Sequence, residues 1–402
     1  MLNIILSIFF AVAAPGQDAS VQAGINWHST VPGSTLQVTK AGDEAFKKAK
    51  TYSPEEQLWS LPQGDSLFRI QRYVCRVNLD GLRPDKDYIC RVVSSDGTSD
   101  IMKIHTAPTR ARAARKPWKF QAFVDFQIAY NKNTSMLMDR FNSMFEGQAQ
   151  KPLFSLCSGD LIDYGSREAE WRWSMESVQK TGMLFAASPG DHEYWGYKPD
   201  GDVHITQMAE PFGYNAIFNN PKNGCEPYKN SNYFFHYGNV LFIALNMGDS
   251  NTSRCDDFIT EAEWFHKTVQ EQKGTYDYLV VFGHKSVYGS KETDSGVRKY
   301  LSPIWMKEFK EAGVNLAIGG HDHKYSRTGC VDGTWFLDMG SSGAKYRVPE
   351  EAMYQDKVYE KILDLKATND AVGAVITVDR DGLHVEVVNL QGTVVDKFDV
   401  IK

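Results

Sequence analysis

Short, continuous runs of apolar residues, separated by segments of helical spacing, mark the chain from about residue 118 to its end. The runs include KFQAFVDF (119–126), LFSLCSGD (153–160), LFAASPGD (184–191) and YLVVFGH (278–284). Such runs without alternation are typical of strands buried on both faces. Residues 166–182 and 259–272 instead place apolar and charged residues as amphipathic helices do. The alternation predicts a layered α/β domain over residues 118–402.

The first hundred residues carry the alternating pattern of half-buried strands. Residues 21–30 and 35–39 each predict one strand, and residues 73–108 predict three more with turn residues between them. Two of these strands collect apolar residues on one face, namely Tyr73, Cys75, Val77 and Leu79 on the first and Tyr88, Cys90 and Val92 on the second. The pattern predicts an all-β sandwich over residues 18–108, with Tyr88 as a tyrosine corner shortly after the turn at residues 82–84.

An apolar segment, MLNIILSIFFAVAAPGQ, opens the chain and carries the small residues of Ala11-Val12-Ala13. Residues 1–16 are therefore predicted to be a cleaved secretory signal peptide. A basic region before the apolar run is missing, which leaves an uncleaved anchor as the alternative. The prediction implies a secreted protein, or one of a secretory-pathway or lysosome-like compartment, with no stable membrane span after cleavage. In a eukaryotic pathway the sequons at Asn133 and Asn251 would be glycosylated.

The same route makes the six cysteines candidates for disulfide bonds. Cys75 and Cys90, on inward faces of neighbouring sandwich strands, are one plausible pair. Cys225 and Cys255, in polar segments, are another. The remaining two are predicted to be buried thiols: Cys157 and Cys330.

Length and charge fit two domains joined by a short linker. The chain has 402 residues, 42% of them hydrophobic, and a formal net charge of −6. This is enough for a small sandwich and a larger α/β core. The basic segment RARAARK (110–116) lies in the predicted linker, residues 109–117. With the negative net charge it is interpreted as a solvated connection, and nucleic acid is not an expected partner.

Potential metal ligands stand at the ends of the apolar runs. Asp160, Asp191 and His284 each follow a glycine, Asp125 ends a similar run, and AIGGHDHKYSR (317–327) ends in His321 and His323. Functional groups of α/β sheets gather beyond the carboxyl ends of the strands. Three Asp and three His there would be costly without cations, and mixed carboxylate and imidazole ligation suits Zn, Mn or Fe. Taken alone, the His pair could equally be a hydrogen-bonded strand end.

The order of these blocks resembles the calcineurin-like metallophosphoesterases. Within that superfamily, four segments are similar to the purple acid phosphatase branch, namely SNYFFHYGNVLFIAL (231–245), HKSVYGS (284–290), GHDHKYSR (320–327) and GTWFLDMGSSG (333–343). The LxxLxPxxxY pattern ending at Tyr88 resembles the fibronectin type III-like domain that precedes the catalytic domain in plant-type members. The resemblance implies a fibronectin type III-like sandwich followed by an α/β four-layer metallophosphoesterase β-sandwich with flanking helices.

The resemblance also implies roles for individual residues. Two metal ions, of Fe, Zn or Mn, would be held by two overlapping sets: Asp125, Asp160 and His323 for the first, and Asp160, Asp191, His284 and His321 for the second. His192 would contact the substrate phosphate and protonate the leaving oxygen. A hydrogen bond at a helix start is the alternative role for His192.

Three positions depart from the family pattern. Gln127 stands where relatives place a ligand His or a Gly. Asp163 occupies the position of the metal-bound Tyr of purple enzymes, with Tyr164 one place later, so no purple colour is expected. Asp191 replaces the usual Asn and adds negative charge beside the metals.

The function expected from these features is that of a secreted binuclear-metal phosphatase. It would hydrolyse phosphomonoesters, or diesters, by attack of a metal-activated hydroxide, with His192 assisting the leaving group. The alternative is a non-catalytic or weakly active secreted binding protein of the same fold. A phosphate ester is the expected partner, while its leaving group and the oligomeric state are open.

Overall fold

The structure is a computed structural model, which describes residues 7–127, 133–197, 205–226, 228–248, 255–288 and 302–401. An N-terminal β-rich domain is followed by a larger domain built on two sheets. The predicted division near residue 118 coincides with the start of the first strand of the larger domain.

Two sheets form the N-terminal domain. Its elements are β1 (Ile8–Pro15), β2 (Ala23–Ser29), β3 (Thr35–Lys40), β4 (Lys50–Tyr52), β5 (Glu55–Trp59), β6 (Arg72–Leu79), β7 (Asp87–Ser94), β8 (Gly97–Thr98), β9 (Met102–His105) and α1 (Arg110–Ala113). One sheet has the order β1-β2-β6-β5, and the other has the order β4-β3-β7-β8 with β9 also paired to β7. The strands predicted at 21–30, 35–39 and within 73–108 are confirmed.

Apolar residues on the inner faces of both N-terminal sheets share one core. Trp27, Cys75 and Val77 of the first sheet and Val92 of the second are buried in the same cluster. The Tyr88 hydroxyl accepts a hydrogen bond from the Arg83 backbone N–H at 3.0 Å. This confirms the tyrosine-corner prediction, because the hydroxyl of such a tyrosine ties the turn upstream of its own strand.

The segment predicted to be a signal peptide contributes β1. Six of its residues pair with β2, from Ile8↔Ser29 to Pro15↔Ala23, and most of its side chains are buried. The backbone carbonyl of Ala11 also accepts a hydrogen bond from Gln179 Nε2 at 3.3 Å, across to the larger domain. In the folded chain these residues therefore belong to the sheet, and cleavage remains a prediction.

The disulfide predictions are wrong. Cys75 and Cys90 lie on strands of different sheets and are both free thiols. Burial raises the pKa of each to about 12, so both thiols stay protonated. Cys225 is also a free thiol, and its sulfur lies 3.2 Å from the amide nitrogen of Asn232, while the side chain of its predicted partner Cys255 lies outside the described residues.

The two remaining cysteines were predicted to be buried. Cys157 is buried, but Cys330 is exposed, next to an irregularity in the pairing of its strand. Of the sequons, Asn133 begins a helix, and its Nδ2 donates to Tyr346 Oη at 3.1 Å. Asn251 lies outside the described residues.

The predicted linker contains the one-turn helix α1. Arg110 pairs with Asp277 of the larger domain at 2.7 Å, and Arg112 pairs with Asp85 of the N-terminal domain at 2.6 Å. The arginines are about half exposed, so these pairs contribute little stability each. The basic segment thus bridges the two domains.

The larger domain alternates strands and helices as predicted. Its strands are β10 (Trp118–Phe123), β11 (Pro152–Cys157), β12 (Leu184–Ala187), β13 (Trp195–Tyr197), β14 (Ile205–Gln207), β15 (Tyr233–Tyr237), β16 (Val240–Ala244), β17 (Tyr278–Lys285), β18 (Leu316–Gly320), β19 (Tyr325–Val331), β20 (Thr334–Met339), β21 (Tyr359–Leu363), β22 (Val372–Val378), β23 (Gly382–Asn389) and β24 (Val394–Ile401). Its helices are α2 (Asn133–Phe145), α3 (Glu168–Thr181), α4 (Phe212–Ile217), α5 (Cys255–Gln272), α6 (Ser302–Ala312), α7 (Glu351–Gln355), α8 (Leu365–Thr368) and a 3₁₀ turn, His192–Tyr194.

Two sheets stack face to face in this domain. One has the order β12-β11-β10-β22-β23-β24, and the other has the order β15-β16-β17-β18-β20-β19-β21. Their inner faces share a core in which Phe154 of β11 packs edge to face against Phe235 and Phe242 of the other sheet, at 5.8 and 5.2 Å between ring centroids. Helices α2 and α3 cover one outer face, and α5 and α6 cover the other. The four layers match the predicted arrangement.

The ligand-bearing strands β10, β11, β17 and β18 lie inside their sheets, whereas β12 is an edge strand. β10, β11 and β12 are parallel neighbours, as are β16, β17 and β18. Being covered on both faces, they need the continuous apolar sequences seen along the chain. Their carboxyl ends therefore meet along one edge of the stacked sheets. Among the described helices, no segment combines the length and apolar character needed to cross a membrane.

Candidate metal centre

The structure brings the six predicted ligands together in a buried cluster. Each follows, or ends, one of the parallel strands: Asp125 after β10, Asp160 after β11, Asp191 after β12, His284 in β17, and His321 and His323 after β18. All six are at most 8% exposed.

Tight chain reversals place these ligands. Asp125, Asp160, His321 and His323 all have positive φ, between 48° and 73°, a left-handed conformation that is uncommon for residues other than glycine and clusters at functional sites. Gly190 and Gly320 have a different reason to be glycine. A Cβ on Gly190 would lie 2.1 Å from Asp160 Oδ1, and one on Gly320 would lie 2.3 Å from Asp125 Oδ2.

One half of the cluster contains Asp191, His284 and His321, whose ligand atoms all lie within 4.8 Å of one another. Asp191 Oδ1 is 3.0 Å from His321 Nδ1 and 3.1 Å from His284 Nε2. This is the set predicted for the second ion, apart from the shared Asp160.

The other half contains Asp125, Asp160 and His284, also within 4.8 Å of one another. His323 Nε2 lies 3.2 Å from Asp125 Oδ1, so His323 borders this half as predicted. Asp160 Oδ2 is 3.1 Å from His284 Nε2. Asp160 thus lies between the two halves, where a bridging carboxylate would be, and the assignment of individual ligands to individual ions remains a prediction.

The surroundings of His284 suit a cation. Its Nδ1 donates to the Ser158 backbone carbonyl at 2.9 Å, so a neutral ring presents the Nε2 lone pair to Asp160 and Asp191, each at 3.1 Å. Lone pair and carboxylates repel unless a positive charge lies between them. A metal ion fits this arrangement, since neutral imidazole nitrogen and carboxylate oxygen are both ligands for Zn, Mn and Fe.

Electrostatics in the cluster agree with that conclusion. Burial alone would lower the pKa of His284, but Asp160 and Asp191 raise it well above its ordinary value. Burial would likewise raise the pKa of Asp191, yet His321 and His284 hold it well below its usual range. Asp191 therefore stays ionised, and the cluster favours a positive charge at His284, either as a proton on the ring or as a metal ion bound to the neutral ring.

Gln127, one of the departures from the family pattern, supports the cluster from its edge. Its Nε2 donates to Asp160 Oδ2 at 3.0 Å, and its backbone N–H donates to the Asp160 carbonyl at 3.0 Å. Its amide nitrogen thus orients the central carboxylate.

His192 lies beside the cluster with a fixed ring orientation. Its Nδ1 donates to the Asp163 carbonyl at 2.8 Å, while its Nε2 points towards Asp160, 3.7 Å from Oδ2. The Trp195 ring packs against the imidazole at 3.8 Å between centroids. Its backbone N–H also donates to Asp160 Oδ1 at 3.1 Å, so the helix-start hydrogen bond exists as well. Nε2 is left free to carry a proton at the site.

Glu193, to which the sequence pattern assigned no role, ends the segment Gly190-Asp191-His192-Glu193. Its fully buried carboxylate accepts from three backbone N–H groups, those of Gly190, Asp160 and Leu161 at 2.5, 3.0 and 2.8 Å. It therefore ties the Asp160 loop to the Asp191 loop. Its position next to His192 in the motif was the one available signal.

The sequence pattern also did not predict the ion pair between Asp163 and Lys345. Lys345 Nζ lies 2.6 Å from Asp163 Oδ1, with the carboxylate nearly buried and the ammonium group's side chain 43% exposed. The residue that replaces the tyrosine ligand of purple enzymes is thus engaged with a cation. No sequence signal links two residues so far apart.

Known proteins share this architecture. Purple acid phosphatase PPD1 from yellow lupin (Lupinus luteus) seeds has a TM-score of 0.78, covering 98% of this chain and 74% of its own at 14% identity. PhoD has a TM-score of 0.64, covering 96% and 87% at 15% identity. At these identities the likeness shows the fold. Both cover the N-terminal domain as well as the larger one.

The relatives found by sequence are longer than this chain. An uncharacterized protein of Mycobacterium tuberculosis, matched in two strains, is 23% identical over 340 residues, which are 78% of this chain and 60% of the relative. This chain thus spans less than two thirds of the curated relatives it matches.

The family model for the calcineurin-like phosphoesterases matches residues 118–325, just over half of the chain. The match begins with β10 and ends in β19, so it contains all six candidate ligands and His192. The chain therefore belongs to the calcineurin-like phosphoesterase family.

Proposed function

We propose that the protein is a metal-dependent phosphatase that hydrolyses phosphomonoesters at a dinuclear centre. The observation that carries the proposal is the buried cluster of three carboxylates and three imidazoles, with His192 Nε2 beside the central Asp160. Iron, zinc or manganese would be held by Asp125, Asp160, Asp191, His284, His321 and His323. When bound, the ions would neutralise phosphate oxygens and activate the attacking water.

The residues of the chain supply the remaining steps. His284 is oriented by the hydrogen bond from its Nδ1 to the Ser158 carbonyl, and Glu193 fixes the two loops that carry Asp160 and Asp191. His192 holds its ring through Nδ1, so its Nε2 proton can be given to the departing oxygen. Such general acid assistance typically contributes 10²- to 10⁴-fold in rate.

Metal analysis together with hydrolysis of an aryl phosphate monoester tests the proposal. The purified, metal-replenished protein should contain close to two metal ions per chain and should hydrolyse the ester. His192→Ala should lower turnover by about 10²-fold while leaving the metal content unchanged. Protein without bound transition metal after replenishment would reject the catalytic interpretation.

The finer points of the proposal concern location and the N-terminal domain. We infer a secretory location from the apolar N-terminal segment alone, and a fibronectin type III-like identity for residues 18–108 from the LxxLxPxxxY pattern and the two-sheet architecture. The first residue of the mature protein, read by mass spectrometry from its native source, tests the location.

A further inference from the structure

Lys345 belongs to the segment that follows β20 and lies against the Asp125 side of the cluster. Within this segment Ser341 Oγ donates to the Asp125 carbonyl at 3.2 Å, and the Ser342 backbone N–H donates to the Val124 carbonyl at 2.8 Å. Gly343 approaches so closely that a Cβ there would lie 2.1 Å from the Phe126 carbonyl oxygen. The segment is therefore anchored to the chain reversal that carries Asp125.

From this anchor the Lys345 side chain reaches the opposite side of the centre. Its ammonium group contacts Asp163 Oδ1 at 2.6 Å, and the carbonyl of the same Asp163 holds His192 Nδ1 at 2.8 Å. Lys345 thus joins the Asp125 side to the His192 side. Its side chain is 43% exposed, so Lys345 lies where the cluster borders solvent.

The charge of the centre gives this lysine a role. Three carboxylates balance three of the four positive charges of two divalent ions, which leaves one net positive charge. An amide in place of Asp191 would leave two. A phosphomonoester dianion brings two negative charges. A further cation beside the cluster therefore compensates for the positive charge that the Asp191 carboxylate neutralises.

We propose that Lys345 binds the phosphate group of the substrate and makes the site selective for dianionic phosphomonoesters over monoanionic diesters. The inference rests on the proposed function. Asp163 holds the ammonium group in place when no phosphate is bound, and the lysine exchanges this carboxylate for a phosphate oxygen when substrate enters. A charge-assisted hydrogen bond of this kind is about twice as strong as a neutral one.

Titration calorimetry with inorganic phosphate tests the inference without turnover. Metal-loaded Lys345→Met should bind phosphate about tenfold more weakly than the parent protein, with unchanged metal content and melting temperature. Arg347→Gln removes the same charge from an exposed position of the same segment and should change the affinity less than about twofold. Equal losses of phosphate affinity in the two variants would mean that only the overall charge near the site matters. That result would overturn the assignment of Lys345 as a phosphate ligand.

A double-mutant cycle separates the ion pair from simple charge removal. Asp163→Asn should tighten phosphate binding in the parent protein, because the ammonium group is released from its competitor. In the Lys345→Met background the gain should be smaller. If the effects of the two substitutions on phosphate affinity are additive, Asp163 does not compete with phosphate for Lys345. The proposed exchange of Asp163 for a phosphate oxygen would then be overturned.

Hydrolysis then tests selectivity. Lys345→Met should lower kcat/KM for an aryl monoester about tenfold and for the matching diester less than about twofold. A parallel fall for both esters overturns the selectivity. If the parent protein binds metal and phosphate in a Lys345-dependent way but hydrolyses neither ester, the proposed function fails while the phosphate site stands.

Discussion

At the scale of single residues, Asp191 is the departure with the clearest chemical consequence. Its carboxylate contacts His321 and His284 at 3.0 and 3.1 Å and is buried to 7% exposure. The resembling phosphatases carry a neutral amide at this position. A carboxylate binds a cation more strongly than an amide does, but it also repels an incoming phosphate. The two effects act in opposite directions on the same reaction.

The substitution Asp191→Asn should therefore separate the effect of the carboxylate on metal binding from its repulsion of phosphate. We expect weaker retention of the second metal ion, because the ligand loses its charge, and a turnover about tenfold higher when metal is saturating. Metal content after dialysis and the rate of aryl phosphate hydrolysis at saturating metal measure the two effects.

His192→Ala is the matched control for this change. It removes a neighbouring polar side chain without altering the predicted ligand set, so the metal content should stay constant while turnover falls. A loss of both metal and saturated turnover in Asp191→Asn would mean that the carboxylate is required by the mechanism itself.

At the scale of elements, β1 has the most surprising role. The apolar sequence that predicts a signal peptide supplies a strand whose side chains are buried against β2 and the larger domain. Phe10 and Val12 lie in the same cluster as Trp171 and Met175 of α3. The same hydrophobicity that would direct a nascent chain to a membrane is here satisfied inside the fold.

Deleting residues 1–16 should accordingly destabilise the protein. Burial of Ile8, Phe10 and Val12 alone is worth roughly 5 kcal/mol by the transfer free energies of such side chains. We expect the midpoint of urea unfolding to fall markedly. Equal stability of the 1–16 deletion and the full chain would show that β1 is dispensable and would favour a cleaved signal.

At the scale of the whole molecule, the N-terminal domain docks on the larger one through buried polar contacts. Arg72 forms an ion pair with Glu168, both nearly inaccessible to solvent. Asn219 Nδ2 donates to Asn78 Oδ1 at 3.0 Å. His28 Nε2 donates to the Ala216 carbonyl at 2.9 Å, within a shell of aromatic rings that includes Phe10.

This interface should make stability sensitive to acid. Burial, opposed by the hydrogen bond to Ala216 and assisted by nearby arginines, lowers the pKa of His28 to about 3. Because the folded pKa lies below the unfolded value of about 6.5, the stability is present above pH 6.5 and is lost as pH falls towards 3. Between about pH 6.5 and 4.5 the loss attributable to His28 is roughly 2 kcal/mol.

Urea unfolding of His28→Gln across this pH range checks the prediction. The variant keeps a hydrogen-bond donor but does not titrate, so its free energy of unfolding should depend less on pH than that of the parent. His384→Gln is the control, because Asp399 and Asp379 raise the pKa of His384 and its removal cannot relieve acid sensitivity. Parallel pH profiles for the parent and His28→Gln would refute the assignment.

The local pattern of the chain was enough to predict the two-domain order, the central strands and the positions of the six candidate ligands. Continuous apolar runs identify strands covered on both faces, and ligand types that follow such runs meet where parallel strands end. Tyr88 was predictable for the same reason, since the corner and its partner Arg83 lie within one short turn.

Contacts between distant parts of the chain were decided only by the tertiary structure. Lys345 and Asp163, β1 and α3, and His28 and Ala216 are brought together by packing, and no local pattern encodes which partner each will meet. The free thiols of Cys75 and Cys90 show the same limit, because inward-facing residues on two strands do not reveal whether the strands share a sheet. The sequence alone determined what chemistry could gather at the strand ends, and the fold decided which residues orient it and which surround it, because those choices depend on distances that a linear pattern does not contain.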